Sequence, residues 1–416
     1  MPKWSIAAIV LLIALTSNPS HVFTDGRGVP AGQGEGLPTQ PPVPPEYADL
    51  YALLESKLKA AESYLSAHWD GTQHSVVFST ELLAANSNQG EHVLREQAWQ
   101  SILFNLDRIQ FLGVRAVKVA VKYPILMPQF PRSAEYLVLY KKLGDELRRR
   151  NIKFLVQMTP GFKPSALSSL PVEPYYANLT LERYKREKRQ MAEIIIREIR
   201  PDYLTVENEP KTAQENTGLP FTVQNFTEIV RYILDGLDRA GVLVGAGAGT
   251  WDNVAYFESL ARNTSVDYMD IHIYPVNFDF LIDRTLQIAA IAQQYHKKLF
   301  LGEAWLYKTR DAELFGPPVA AAPGLYARDV FSFWEPLDVK FVETIWKLVH
   351  YLKIDFASFF WMRYFFGYVE YTERTKSLSP AELFRLANLE AAKNMRQNPP
   401  KLTQTGLTFQ RLIKAP

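Results

Sequence analysis

Eight short β-rich segments follow one another along the chain, and helical stretches separate them. The candidate strands are His74 to Ser79, Ala116 to Val121, Lys153 to Met158, Tyr203 to Glu207, Val242 to Ala246, Tyr268 to Ile273, Leu299 to Gly302 and Phe356 to Trp361. Strands that alternate with helices in this way predict a parallel sheet with crossover helices. Eight such units in one series favour an α/β fold of the closed (β/α)8 barrel type. The alternative is an open doubly wound sheet, but no glycine-rich phosphate loop follows the first strand.

Composition narrows the class of protein further. The 416 residues are 47% hydrophobic and 22% charged, which suits one large barrel with long loops. A net charge of +2 argues against nucleic-acid binding, which usually needs a concentrated basic face. The chain has no cysteine, so disulfides, thiolate metal sites and a cysteine nucleophile are excluded.

The N-terminus has the pattern of a targeting segment. Lys3 precedes an apolar run from Ile6 to Leu15, which is shorter than the roughly 20 residues that a bilayer span requires. Residues 1–23 therefore predict a signal peptide, with a short uncleaved anchor as the alternative. Residues 24–45 are rich in Gly and Pro and predict a flexible linker. Residues 46–416 are then the barrel domain of a secreted or cell-surface protein.

The fourth strand ends in a carboxylic acid beside an amide. Active sites of such barrels lie at the C-terminal ends of the strands. Asn208 and Glu209 precede Pro210 at such an end, where Glu209 could protonate a glycosidic oxygen and Asn208 could bind a sugar hydroxyl. Glu207 is a rival acid, because it would share the face of Glu209 in a regular strand.

The seventh strand supplies a second glutamate, Glu303, at its C-terminal end. Three βα units of roughly 30 residues each separate it from Glu209. The two carboxyls should therefore face each other across the barrel mouth. A retaining glycosidase needs two carboxyls about 5 Å apart, one as nucleophile and one as acid/base. We assign Glu303 as the nucleophile.

Further candidates follow from alternation along the strands. Period-two alternation on the sixth strand directs Asp270, His272 and Tyr274 to the inside, where Tyr274 could donate a hydrogen bond to Glu303. Trp361, at the end of the eighth strand, is a candidate platform beneath a sugar. Trp251 and Trp305 are weaker substrate-binding candidates, each equally compatible with packing in the core.

These motifs, in this order along the chain, resemble those of clan A glycoside hydrolases, and among these they are most similar to the cellulase-like family 5. The resemblance covers roughly Ser75 to Gly367, and galactanase-like and mannanase-like families of the clan stay open. It implies the roles given above for Asn208, Glu209, His272, Tyr274, Glu303 and Trp361. It also places Lys118 where family 5 usually has an arginine that contacts the nucleophile. Lysine supplies the charge without the forked contact of a guanidinium.

The sequence thus predicts a retaining β-glycosidase, endo-acting on a β-linked oligo- or polysaccharide, that functions as a monomer. No metal or organic cofactor is expected, because no group of residues has metal-ligand spacing. A non-catalytic polysaccharide-binding barrel and a transglycosylase with the same residues are the alternatives. The segments after strands three and seven should shape the cleft through Tyr175, Tyr176, Phe333 and Trp334. The sugar itself is not predicted.

Overall fold

Eight parallel strands form a closed barrel in the computed structural model, which describes residues 41–165, 167–315 and 322–414. Each strand pairs with the next along the chain, and the eighth returns to the first. The strands are β1 (Val77–Glu81), β2 (Ala116–Ala120), β3 (Lys153–Gln157), β4 (Tyr203–Glu207), β5 (Leu243–Gly249), β6 (Tyr268–Ile273), β7 (Lys298–Ala304) and β8 (Phe356–Phe359). The predicted (β/α)8 barrel is confirmed. Strands β4 and β6 have their predicted bounds, and the others differ by a few residues at one or both ends.

Helices surround the barrel and pack their apolar faces on it. In α7, Phe226, Ile229, Val230 and Ile233 recur at helical spacing and are all buried, as an amphipathic helix on a sheet requires. The helices are α1 (Ala48–His68), α2 (Glu96–Leu112), α3 (Ser133–Arg149), α4 (Glu173–Tyr176), α5 (Leu181–Ile194), α6 (Pro210–Thr217), α7 (Val223–Leu234), α8 (Ala255–Asn263), α9 (Arg284–Gln294), α10 (Asp311–Leu314), α11 (Pro323–Ala327), α12 (Glu335–Tyr351), α13 (Glu373–Lys376), α14 (Pro380–Met395) and α15 (Gln404–Ile413).

Aromatic side chains fill the N-terminal half of the barrel interior. Tyr268 stacks on Phe300 with ring centroids 3.9 Å apart, and Phe300 stacks on Phe356 at 5.2 Å. Ala116 and Leu155 complete this buried cluster. Because the lower interior is packed in this way, a ligand can enter the barrel only from the C-terminal ends of the strands.

Helix α1 lies outside the barrel against α12 and runs parallel to it. Lys340 pairs with Glu55, and Lys347 Nζ lies 2.9 Å from Glu62, so both helices advance in the same direction. At the start of the pair, Tyr51 stacks on Trp334 with ring centroids 5.7 Å apart. Since crossover helices run antiparallel to the strands, α1 begins at the same end of the barrel as the strand C-termini.

The N-terminal predictions concern residues that the structure mostly leaves undescribed. The predicted signal segment, residues 1–23, and residues 24–40 of the predicted linker lie outside the described residues. Among the helices in the described ranges, none has the length and apolarity needed to cross a membrane.

Candidate active site

A β-bulge at the end of β4 separates the two glutamates that lie close together in the sequence here. Thr205 pairs with Gly245, and the next paired residue is Glu207 with Ala246, so Val206 is the extra residue. Glu207 thereby turns toward the helix layer, where it is buried, accepts a hydrogen bond from Tyr184 and pairs with Lys188 at 2.8 Å. The expectation that Glu207 shares a face with Glu209 is wrong, because the bulge turns Glu207 outward and β4 ends there, so Glu209 lies outside the strand alternation. Glu207 is a structural anchor and not a rival acid.

Glu209 itself turns into the cavity through an unusual backbone conformation. Its φ of 46° and ψ of 69° lie in the left-handed region of backbone conformation, which residues other than glycine adopt rarely. Pro210 then begins α6 with the fixed φ that suits the first turn of a helix. The side chain is 18% exposed and lines the cavity.

A second irregularity, on β7, brings Glu303 inside the barrel. The pairing with β6 passes from Ile271–Leu301 to His272–Glu303, so Gly302 is the extra residue on β7. Without this bulge Glu303 would share the face of Leu301, which belongs to the helix layer. Gly302 is required here, because a Cβ at that position would lie 2.1 Å from Oδ1 of the buried Asp270.

Three side chains donate hydrogen bonds to the Glu303 carboxylate. They are Lys118, Tyr274 and Gln157, whose Nε2 lies 3.2 Å from Oε1. Burial alone would raise the pKa of Glu303, but the charges of His272 and Lys118 and these hydrogen bonds lower the pKa well below its usual range. The predicted Tyr274–Glu303 contact is present. Glu303 is therefore an ionised, fixed carboxylate, as a nucleophile must be.

Lys118 lies beneath Glu303 and is fully buried between two carboxylates. Its Nζ contacts Glu303 and lies 2.8 Å from Glu81, which ends β1. Burial opposes its charge, but the two carboxylates raise its pKa above the usual lysine value. Lys118 was predicted as a substrate-binding residue. That prediction is wrong in one respect, because its side chain has no exposure through which a sugar could touch it. It acts on Glu303.

His272 links the two candidate catalytic carboxyls. Its Nδ1 lies 2.6 Å from Glu209 Oε1 and 3.5 Å from Glu303 Oε2, and its Nε2 lies 3.0 Å from Asn208 Nδ2. Burial alone would lower the pKa of His272, but Glu303, Glu209 and Asp270 raise it. A carboxylate oxygen of each glutamate and a ring nitrogen of His272 all lie within 4.8 Å of one another. This separation fits a retaining pair, since inverting pairs lie roughly 6.5–9.5 Å apart.

The same three groups have the spacing of a metal site, which the sequence pattern did not indicate. Glu209, His272 and Glu303 could each offer one ligand atom to a cation. The charges around them do not favour one, because the Glu303 oxygens already accept from Lys118, Tyr274 and Gln157. A divalent ion here would lie beside the buried ammonium of Lys118. The donor set therefore fits a carboxylate pair with its hydrogen-bond donors better than it fits a metal.

A cavity of about 630 Å³ opens above the two glutamates. Its volume lies within the range of ligand pockets, roughly 300–1,000 Å³. Trp361 and Trp251 both line it and are partly exposed, as platforms for sugar rings would be. Tyr307 lines it as well and stacks on Tyr274 with ring centroids 4.6 Å apart. Other aromatic residues on its walls are Phe104, Phe162, Phe315, Tyr326, Phe360 and Phe384.

Some aromatic residues expected at the cavity belong to the core instead. Trp305 has no exposure, stacks on Tyr364 at 5.4 Å and does not line the cavity, so its predicted substrate contact is wrong. It comes after the β7 bulge and points to the helix layer. The predicted cleft residues Tyr175, Tyr176, Phe333 and Trp334 are also packed elsewhere, the last two beneath α1. The same two segments reach the cavity through Phe162, Leu167, Tyr307, Leu314, Phe315 and Tyr326.

Several residues of the site were not predicted from the sequence. Glu81 and Gln157 each end a strand, so the strand-end criterion could have found them. Lys122 and Asp252 follow strand ends and line the cavity. Burial raises the pKa of Asp252 to about 7. Tyr307 carried no signal, because it lies in a loop whose path the sequence does not show.

No protein-family model and no curated protein sequence matches the chain. Solved structures share its fold. A GH5_18 protein from Bifidobacterium longum subsp. infantis superposes with a TM-score of 0.51 at 12% identity, covering 82% of this chain and 78% of that one. The exo-β-1,4-mannosidase Op5Man5 from Opitutaceae bacterium strain TAV5 also gives a TM-score of 0.51, at 14% identity, covering 82% of this chain and 60% of that one. The barrel is thus a fold found in glycoside hydrolases of family 5, as the motif resemblance implied.

Proposed function

We propose that this protein is a retaining β-glycosidase in which Glu303 is the nucleophile and Glu209 the acid/base. The observation that carries the proposal is the pair of carboxyls from β4 and β7 within 4.8 Å of each other at the floor of one cavity. Their environments differ as the two roles require. Glu303 is buried and surrounded by donors, whereas Glu209 is partly exposed toward the space that a leaving group would occupy.

In the first step, Glu303 attacks the anomeric carbon and a C–O bond to the enzyme forms. The glycosidic C–O bond breaks, and the proton of Glu209 passes to the departing oxygen. Tyr274, Gln157 and Lys118 hold the attacking carboxylate in place before the reaction, so little reorganisation accompanies the attack. Trp361 supports the sugar ring, and Asn208 donates to a ring hydroxyl.

In the second step, Glu209 removes a proton from water. The resulting hydroxide attacks the anomeric carbon from the side that the leaving group vacated, and the bond to Glu303 breaks. The product keeps the β configuration, and both glutamates return to their starting protonation states. His272 stays bonded to Glu209 through Nδ1 and keeps the carboxyl aimed at the anomeric centre.

The dimensions of the cavity support action on a chain of sugars. Its lining includes Glu215 on α6 and Arg396 beyond α14 as well as the two glutamates. On this lining we propose an endo-acting enzyme on a β-linked oligo- or polysaccharide. We also propose that the protein is secreted or held at the cell surface, as the sequence pattern of residues 1–23 predicts. We propose a monomer, because the site is built from one chain.

The deciding experiment is hydrolysis of a panel of aryl β-glycosides and β-linked glucans, mannans and galactans. The expected result is hydrolysis of at least one substrate, with the first product released in the β configuration by NMR. Glu303→Gln should abolish turnover, and Glu207→Gln serves as a matched control for loss of a buried carboxylate from the same barrel. Product analysis separates a hydrolase from a transglycosylase. Binding of a glycan without any turnover by the unmodified protein would establish the non-catalytic alternative.

A further inference from the structure

Buried cations in this protein fall into two groups. Among the described residues, six Lys or Arg side chains are buried. Four of them lie next to a carboxylate: Lys118 with Glu81, Lys185 with Glu228, Lys188 with Glu207, and Lys308 with Asp338. The other two, Lys122 and Arg363, form no ion pair with any described residue. Burying an unpaired charge is costly, so a protein that keeps two of them raises the question of what compensates the charge.

Both exceptions line the cavity. Lys122 is 7% exposed and donates to the hydroxyl of Thr159, with the ring of Phe162 5.6 Å from its Nζ. Arg363 is 8% exposed, and its guanidinium carbon lies 3.8 Å from the ring centroid of Trp361.

The hydrogen bonds of the Arg363 guanidinium are incomplete. Its Nη1 donates to Asn388 at 3.0 Å, while Nε has no acceptor. The charge of Asp329 acts on Arg363, but Asp329 forms no ion pair with it and accepts from the backbone N–H of Lys308.

The two cations lie on the same side of the barrel mouth. Arg363 follows β8 and Lys122 follows β2, and β1 lies between these strands. Two exposed arginines on the cavity wall, Arg95 after β1 and Arg396 after α14, add charge to this side. Among the cavity carboxylates, Glu81 on β1 and Glu303 on β7 are paired with Lys118, whereas Glu209, Glu215 and Asp252 follow β4 and β5. Lys211, a cavity cation on that side, lies 3.9 Å from Glu215. The described cavity cations that form no ion pair therefore lie over β8, β1 and β2.

Burial has the expected effect on these cations. It lowers the pKa of Lys122, although the more distant charges of Glu303, Glu209 and Glu81 oppose this effect, and it lowers the pKa of Arg363. Lys118, which is flanked by two carboxylates, has a raised pKa instead. Lys122 and Arg363 are thus in sites that favour a negative charge nearby. A ligand that brings an anion would supply that charge.

We propose that the substrate is an acidic sugar, whose carboxylate or sulfate binds over β8, β1 and β2 between Lys122 and Arg363. This inference rests on the proposed glycosidase function and specifies the substrate class of the same cavity. Trp361 supports the ring, and Arg363, packed on that tryptophan, lies one side chain further along the wall. A uronate and a sulfated sugar share the required chemistry, because both offer oxygen anions to an ammonium and a guanidinium.

Calorimetric binding of free monosaccharides to the full chain tests the proposal, since these ligands are not hydrolysed. The pairs are glucuronate and glucose, galacturonate and galactose, and mannuronate and mannose, with glucose 6-sulfate and galactose 6-sulfate as the sulfate arm. We expect at least one acidic sugar to bind 10-fold or more tightly than its neutral counterpart at low salt, equivalent to about 1.4 kcal/mol. The arm that shows the preference identifies the anion.

Variants assign the preference to the two cations. Lys122→Gln and Arg363→Gln should each remove most of it, Arg363→Lys should retain part, and the exposed Arg186→Gln on α5 should leave it unchanged. If Arg363→Gln does not fold, Lys122→Gln and Arg363→Lys still decide. Equal binding of acidic and neutral sugars, or a preference that survives the double Gln variant, would overturn the proposal. Hydrolysis of neutral β-glycosides without acidic preference refutes only this inference, whereas acidic preference without any hydrolysis refutes only the glycosidase function.

Discussion

Replacement of Lys118 by Met should move the acidic limb of the pH profile upward. Glu303 attacks only when ionised, and Lys118 is one of the groups that lower its pKa. Two unit charges about 4 Å apart interact by ~4 kcal/mol at an effective dielectric constant of about 20. Since 1.36 kcal/mol corresponds to one pH unit, loss of this charge should move the limb by roughly three pH units. The sign is fixed: a higher pKa leaves Glu303 protonated, and therefore inactive, over a wider acidic range.

The assay should report the ionisation of Glu303 separately from that of Glu209. A dinitrophenyl β-glycoside has a leaving group that needs no protonation, so the acidic limb of its kcat/KM reports the nucleophile. In the unmodified protein this limb should lie below the ordinary carboxyl range, and in Lys118→Met it should enter or exceed that range, near pH 4.3. Activity at pH 4 relative to pH 7 should fall by at least a factor of three.

Two further variants serve as controls for this interpretation. Lys118→Met leaves Glu81 buried without its partner, and breaking a buried ion pair costs about 3–5 kcal/mol of stability. Lys118→Met combined with Glu81→Gln removes that cost and should still move the limb upward, but by less, because it also removes the negative charge of Glu81 that acts on Glu303. Lys118→Arg keeps the charge and should retain the acidic limb of the unmodified protein. A folded Lys118→Met protein with an unshifted limb would show that Lys118 does not set the ionisation of Glu303.

Glu209→Gln should lower kcat/KM on poor leaving groups by about 10²–10⁴ while sparing kcat/KM on the dinitrophenyl substrate, because kcat/KM reports the first step and this leaving group needs no protonation; an equal loss of kcat/KM on both substrates would contradict the acid/base assignment. Gly302→Ala should destabilise the fold by about 1–3 kcal/mol in urea unfolding, because the new methyl group would collide with Asp270. Trp361→Ala should raise KM with little change in unfolding, whereas Trp305→Ala should cost about 3–5 kcal/mol of stability as a core truncation. Incubation with EDTA should leave kcat/KM unchanged, and loss of activity restored by a divalent cation would assign a metal to the carboxyl pair.

The barrel and its catalytic candidates were predictable from periodicity and strand-end position. Alternation correctly directed Asp270, His272 and Tyr274 inward, because β6 is regular over its whole length. It failed where strands bulge. Glu207 on β4 was expected beside Glu209 but faces the helices, because the bulge inserts one residue before it. Glu209 follows the end of the strand in a left-handed conformation and points into the cavity instead.

The wall of the cavity was the least predictable part. Trp305 lies two residues after Glu303, and nothing in the local sequence distinguishes a tryptophan in the core from one that binds sugar. Tyr307 and Arg363 reach the cavity through loop and 3₁₀ conformations that depend on packing between distant elements. Their positions are set by tertiary contacts, which no local pattern encodes.

The parallel alignment of α1 with α12 has a practical consequence for protein engineering. The segment just ahead of α1 lies at the end of the barrel where the strands terminate and the cavity opens. A purification tag or reporter joined directly to α1 would stand beside that opening, and would obstruct a long polymer before it hindered small chromogenic compounds. Fusions are better placed after α15.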